Sequence, residues 1–248
     1  GEKAGIIVPG VPVIYDGNDK DAAEVIAAKA KELGSPAYKV IQAGAKVLGN
    51  NKDGIDFSLE DDYYGDTRFH IPFIAWYQVM NASLALTAME VLKDRIPVTL
   101  EQLQAGIANT RWQGRMETIL PGVIVDGAHN EDGVRRFVET AERFQKEYPL
   151  TLLFSAVNDK DYQDMIHTIC SRIKFRKVVT TEVGGYREVP SAELAEIFCK
   201  EGCKDVGNSD NIEEAFHMAH EAKGEDGMLF CVGSLYLVGE IKTLLLKK

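Results

Sequence analysis

The 248-residue sequence has no apolar run near the ~20 residues that a membrane span needs. No stretch has the charged start, apolar middle and small-residue end of a secretory signal. The expected location is therefore the cytoplasm, away from the membrane. Cysteine is scarce: Cys170, Cys199, Cys203 and Cys231 are the only four, and none forms a Cys-x-x-Cys pair. A chain of this length does not need disulfide staples, so reduced thiols are expected. Positive charge is in deficit, with 28 Lys and Arg against 38 Asp and Glu and a formal net charge of -10. An acidic surface repels phosphate backbones, so no nucleic-acid partner is expected. A small phosphorylated ligand is still compatible, because local cations and helix N-termini can hold one. Repeats and low-complexity stretches are also missing. No methionine precedes Met80, so the chain is expected to be a piece of a longer one.

What is there, from about residue 120 onward, is a regular alternation. "GVIVDG" (122–127) is a short β-branched run. Val134, Phe137, Val138, Ala141 and Phe144 follow it at the spacing of one helix face. "LTLLFSAV" (150–157), "FRKVVTTEV" (175–183) and "GMLFCVGS" (227–234) read as strands. Helices are expected at 162–173, 190–202, 211–223 and 235–248, the second with Ser191 as its cap after Pro190. Strands alternating with helices of this length imply an α/β fold, a mainly parallel sheet with helices on both faces. The first hundred residues are less regular. A strand at 11–17, a helix at 21–36, a few strands, a long helix at 75–94 and a short helix capped by Thr99 are expected. A domain boundary is expected near 108–112, giving regions 1–109 and 110–248.

The turn "DGAHN" (126–130) joins an apolar strand to an amphipathic helix. Ligands of open parallel sheets bind beyond the carboxyl ends of the strands, where Asp126 and His129 would lie. Free N–H groups at the following helix could face an anion. The plainer reading is that Asn130 caps the helix while Glu131 and Asp132 complement its dipole. Just upstream, "TRWQGRMETI" (110–119) sets Arg111 and Arg115 around Gly114, and arginine forks match phosphate oxygens in two-point contacts. Two other clusters read as incidental. His217 and His220 with Cys199 and Cys203 lack the spacing of a zinc site. Glu60, Asp61, Asp62 and Asp66 read as a solvated loop.

The pairing of "W-x-G-R-M-E" with "V-D-G-A-H-N" resembles folylpolyglutamate synthases and the wider Mur ligase family. "EKAGIIVPGVPV" (2–13), "YQVMNASLAL" (77–86), "VNDKDY" (157–162), "YREVPSAEL" (186–194) and "VGSLYLVGEI" (232–241) resemble that family's segments in the same order, over essentially the whole chain. The resemblance implies the C-terminal part of a central ATPase domain in 1–109 and a Rossmann-like glutamate ligase domain in 110–248. It implies ATP and Mg2+ as cofactors, glutamate and folate as the other small-molecule partners, and a monomer. The implied reaction phosphorylates a folate carboxylate, and the amine of glutamate then attacks the acyl phosphate. Arg115, Asp126 and His129 take the catalytic roles. Arg115 and Asp126, with Gln78, Asn81 and Lys160, face the nucleotide. His129, Ser234 and Tyr236 face the glutamate substrate, Ser234 being equally suited to cap a helix. Lys3 matches the family's carbamylated, magnesium-holding lysine, and Arg187 is a looser candidate.

The sequence departs from the family in one important way. The family's Gly-x-x-x-x-Gly-Lys-Ser/Thr phosphate loop does not occur in it. Val8 replaces a common second lysine, and Gly185-Tyr186 replaces a proline approach to Arg187. The chain alone is therefore expected to be inactive. Two alternatives stay open at this point: a peptidoglycan-type Mur ligase, and a non-catalytic nucleotide-binding module.

Overall fold

A computed structural model of the chain describes residues 2–51, 53–185 and 188–246, with only the backbone of residues 2 and 3. The chain divides into two compact units, Gly1–Arg111 and Trp112–Lys248. Among the described residues, no helix is long and apolar enough to cross a membrane.

In the first unit, β1 (Val13–Asp16) and β2 (Ala37–Val40) pair in parallel across α1 (Lys20–Glu32). The helix starts where the Asp19 carboxylate accepts from the Ala22 amide at 3.1 Å. Next, β3 (Ala45–Asn51), β4 (Gly54–Leu59) and β5 (Phe69–Ile71) form an antiparallel sheet. Its buried face, with Phe57, Phe69 and Tyr64, packs with Val79, Ala82 and Leu86 of α2 (Tyr77–Val91). The Tyr64 hydroxyl is buried there and donates to the Leu86 carbonyl at 2.8 Å, which compensates the loss of water. Thr99 starts α3 (Leu100–Ala108) with a reciprocal capping box to Gln102, as its sequence position suggests.

The second unit is a six-stranded sheet. Its elements run β6 (Glu117–Leu120), β7 (Val123–Asp126), α4 (Glu131–Phe144), β8 (Leu150–Phe154), α5 (Tyr162–Arg172), β9 (Phe175–Thr181), α6 (Ser191–Lys200), β10 (Val206–Ser209), α7 (Ile212–Lys223), β11 (Met228–Val232) and α8 (Leu235–Leu246). The spatial order is β10-β9-β8-β11-β7-β6, parallel throughout except for the β6 edge. The runs VIVD, LTLLF and MLFCV are buried at every position because helices cover both faces. Alternate residues sort the helices. Phe230 meets Phe137 of α4, and Phe154 meets Phe198 of α6. On the opposite face, Val125, Leu153 and Cys231 cluster with Ala215 and Ala219 of α7 and Leu237 and Ile241 of α8. β11 is last in sequence yet lies between β8 and β7. The chain leaves β7 towards one face and β11 towards the other, which opens a crevice at their carboxyl ends.

Strands β6 and β10, the two sheet edges, are additional to the expected strands, and one local expectation needs correction. Ser191 is not the cap of α6. Pro190 holds that position, and the buried Ser191 hydroxyl instead donates to Asp210 beyond β10.

The turn from β11 to α8 requires a glycine. Gly233 has φ +113, and a Cβ there would lie 2.0 Å from the Ser155 carbonyl oxygen. Gly233→Ala should therefore cost roughly 3 kcal/mol or more in urea unfolding. Gly202→Ala, at φ +92 with nothing within 4 Å, should cost only about 1 kcal/mol. Equal costs would mean that the close approach of β11 and β8 is not what constrains this turn.

Candidate functional site

Asp126 is the last residue of β7, and the residue is 3 % exposed. One oxygen accepts from the Met116 amide and the other from the Ala128 amide, both at 2.8 Å. One side chain thus ties the loop before β6 to the turn after β7. Three further bonds hold the same assembly. The Gly127 amide donates to the Gly114 carbonyl at 2.8 Å. The Gly114 amide donates to Glu117 at 2.8 Å, and Lys242 of α8 pairs with Glu117 at 2.7 Å. Met116, buried, is held at φ 46, a conformation that a non-glycine residue adopts only when its surroundings compel it.

This assembly brings Arg115, Asp126 and His129 to one rim. Arg115 is half-buried and close enough to Asp126 to favour its ionised form. Among the described residues its guanidinium has no hydrogen-bond partner, so its fork is available to a ligand. The His129 ring nitrogen Nδ1 lies 2.8 Å from the Gly127 carbonyl. A carbonyl only accepts, so Nδ1 carries the hydrogen and Nε2 is left for outside contacts. Asn130 does cap α4, accepting from Gly133 at 2.9 Å. The cap and the site therefore coexist on adjacent residues.

His129 and Lys160 line one cavity of about 230 Å³ together with Asn130, Asp161, Asp164 and Thr168. The sequence alone gave no sign that the starts of α4 and α5 enclose a shared space. Ser234, 2 % exposed, caps α8 by accepting from the Tyr236 amide at 3.1 Å. Tyr236 is more than half exposed. Arg111 is exposed and donates to the neighbouring Thr110 carbonyl. In the first unit, Gln78 is buried and accepts from the Asn81 amide group at 2.8 Å. Arg187 and the side chain of Lys3 lie outside the described residues. Among the described residues, no group of three or more His, Cys, Asp or Glu side chains is gathered for a metal. Sequence reasoning missed the pair of Glu117 and Lys242, which brace the loop from 125 residues apart.

Residues 114–235 match the Mur ligase, glutamate ligase domain. The chain belongs to the Mur ligase family. Within that family it is 30% identical over 255 residues to the dihydrofolate synthase/folylpolyglutamate synthase of Bacillus subtilis, covering 98% of this chain and 56% of that protein. The folylpolyglutamate synthase structure from Thermotoga maritima is 25% identical with a TM-score of 0.79, over 99% of this chain and 56% of that one. The Mycobacterium tuberculosis folylpolyglutamate synthase, solved with ADP and AMPPCP, is 23% identical with a TM-score of 0.74, over 98% of this chain and 58% of that one. At that identity the last likeness speaks for the fold alone. This Mur ligase chain spans about half the length of the relatives it matches.

Burial pushes the Asp126 pKa up from 3.8 to about 6, against the pull of its two amide donors and of Arg115 and His129. Between those values the folded chain holds a proton that the unfolded chain has lost. Stability from this group therefore falls as pH rises from about 4 to about 6, by about 3 kcal/mol, and levels off above. The difference between wild-type and Asp126→Asn unfolding free energies, measured against pH, should have that shape. A difference that rises over this range would mean that the carboxylate titrates below its ordinary value.

Proposed function

We propose that this chain is part of an ATP-dependent ligase that joins glutamate to a folate carboxylate through an acyl phosphate, with or without the dihydrofolate synthase reaction. The observation that carries the reading is the braced rim of Arg115, Asp126 and His129 within the matched ligase domain. The Arg115 fork suits phosphate oxygens by charge and by two-point geometry. Fixed in a loop that Asp126 holds, it binds charge without reorganising at the moment of reaction. Asp126 is a positioning residue in this scheme. It keeps the Met116 and Ala128 amides, and so Arg115 and His129, in one arrangement.

The cavity between α4 and α5 suits the incoming amino acid. Lys160 offers a cation for a carboxylate, the carboxylates of Asp161 and Asp164 lie nearby for an ammonium, and His129 stands at the wall nearest the rim. His129 Nε2 is the atom suited to contact the reacting amine or the phosphoryl oxygens. Ser234 and Tyr236 fit a secondary role at the start of α8, since the Ser234 hydroxyl is already occupied as a cap. ATP supplies the phosphoryl group that activates the carboxylate. Magnesium is expected with ATP, but no step is assigned to protein-held magnesium. Gln78 and Asn81 remain proposed nucleotide neighbours in the first unit.

The peptidoglycan-type alternative has less support, because the relative aligned along 98% of the chain is a folate enzyme. A non-catalytic binding module would not need a phosphate-type arginine on the same rim as Asp126 and His129.

The reading requires a phosphate loop that this sequence lacks. The 248-residue chain by itself should therefore give no ATP-dependent glutamate ligation. Joined to a phosphate-loop segment from a relative, it should ligate. In that enzyme Arg115→Ala should lower kcat by about 10²–10³ with an unchanged unfolding midpoint, and Arg115→Lys should restore only part of the loss. Turnover unaffected by Arg115→Ala would overturn the assignment.

A further inference from the structure

We propose that Cys170 and Cys203 form a reversible disulfide site, a modification position separate from the rim at the strand ends. Cys170 stands in the last turn of α5, and Cys203 follows the end of α6. They are 33 residues apart in sequence, yet their sulfurs lie 3.5 Å apart. A disulfide needs about 2.05 Å, so closure demands that the sulfurs approach by roughly 1.5 Å. The place where the chain can move is beside Cys203. Gly202 has φ +92 and nothing within 4 Å of where a Cβ would stand. The backbone bonds of the turn include Gly202 N–H to Cys199 and Cys203 N–H to Phe198, each 3.0 Å.

The two sulfurs are chemically unequal. Either sulfur can donate to the other; with Cys170 donating, the Cys203 thiol is held below its ordinary range and the Cys170 thiol is pushed up. The carboxylate of Glu201 acts against ionisation of both. Cys203 is the better nucleophile and Cys170 the resolving thiol. Both are partly exposed, so a small oxidant can reach them. Cys231 is buried in β11 and out of reach. Cys199 is exposed but is not the partner of either.

With glutathione disulfide as oxidant the step balances. The Cys203 thiolate attacks one glutathione sulfur and releases glutathione thiolate. Cys170 gives up its proton and attacks the Cys203 sulfur, releasing the second glutathione. The net change is two cysteine thiols and one glutathione disulfide to one protein disulfide and two glutathione thiols. The new bond would tie α5 to the end of α6. The first turns of α5 supply Asp161, Asp164 and Thr168 to the cavity shared with His129 and Lys160, so oxidation would stiffen one of its walls.

The test uses the intact reduced chain, incubated with glutathione disulfide, blocked with N-ethylmaleimide in denaturant and mapped by peptide mass spectrometry. Two of the four thiols should be lost to blocking. The linked peptides should join through Cys170 and Cys203 and weigh two hydrogens less than the reduced pair. Dithiothreitol should reverse the change, Cys199→Ser should leave it intact, and Cys170→Ser or Cys203→Ser should each abolish it. A bridge through Cys199, a glutathione adduct that persists on Cys203 without resolution, or four blockable thiols after treatment that oxidises a control dithiol peptide would each overturn the proposal.

Discussion

One carboxylate, on Asp126, holds the candidate site together. It is almost wholly removed from water and accepts from two amides, Met116 and Ala128, that belong to different segments. Together with the Gly127–Gly114 backbone bond, it fixes the loop bearing Arg115 against the turn bearing His129. It also accounts for an otherwise unfavourable feature, the positive φ of Met116. The amide bond to Asp126 stabilises a conformation that the residue would leave on its own. The cost is electrostatic: a buried acid resists ionisation, and its pKa rises to about 6. A group that disfavours its own charge while sitting beside an arginine is an arrangement more often found at sites than in cores.

The sheet explains why the carboxylate is there. β11 inserts between β7 and β8, so the chain leaves neighbouring strands towards opposite faces. Asp126 pairs with Val232 in register, which puts the turn after β7 beside Gly233 and the start of α8. From α8, Lys242 reaches back to Glu117 and braces the loop from the other side. Fold and site share the same residues along this edge, so the loop needs no secondary structure of its own to be well defined.

Much of this was legible in the sequence. The buried strands announced themselves as β-branched runs, and the face of α4 was readable in Val134, Phe137, Val138, Ala141 and Phe144, all buried. Asp126 and His129 were marked by the interruption of an apolar strand by polar residues before a helix. The edge strands were hidden because an edge needs few apolar residues. β10 has a single apolar residue, Val206, followed by Gly207, Asn208 and Ser209. Ser191 was misjudged because a serine at a helix start is usually a cap, and only the fold brings Asp210 to it. The bracing by Lys242, the cavity shared by His129 and Lys160, and the approach of Cys170 to Cys203 are tertiary events between distant residues. No local spacing encodes them.

The most direct test of this account follows the backbone amides of Met116 and Ala128 by nuclear magnetic resonance as the chain is titrated with acid. If Asp126 is the common acceptor, both amides move together with one midpoint near pH 6, and Asp126→Asn removes the transition from both. Separate midpoints, or amides that stay still while Asp126 titrates, would contradict the claim that this carboxylate holds the two segments as one rim.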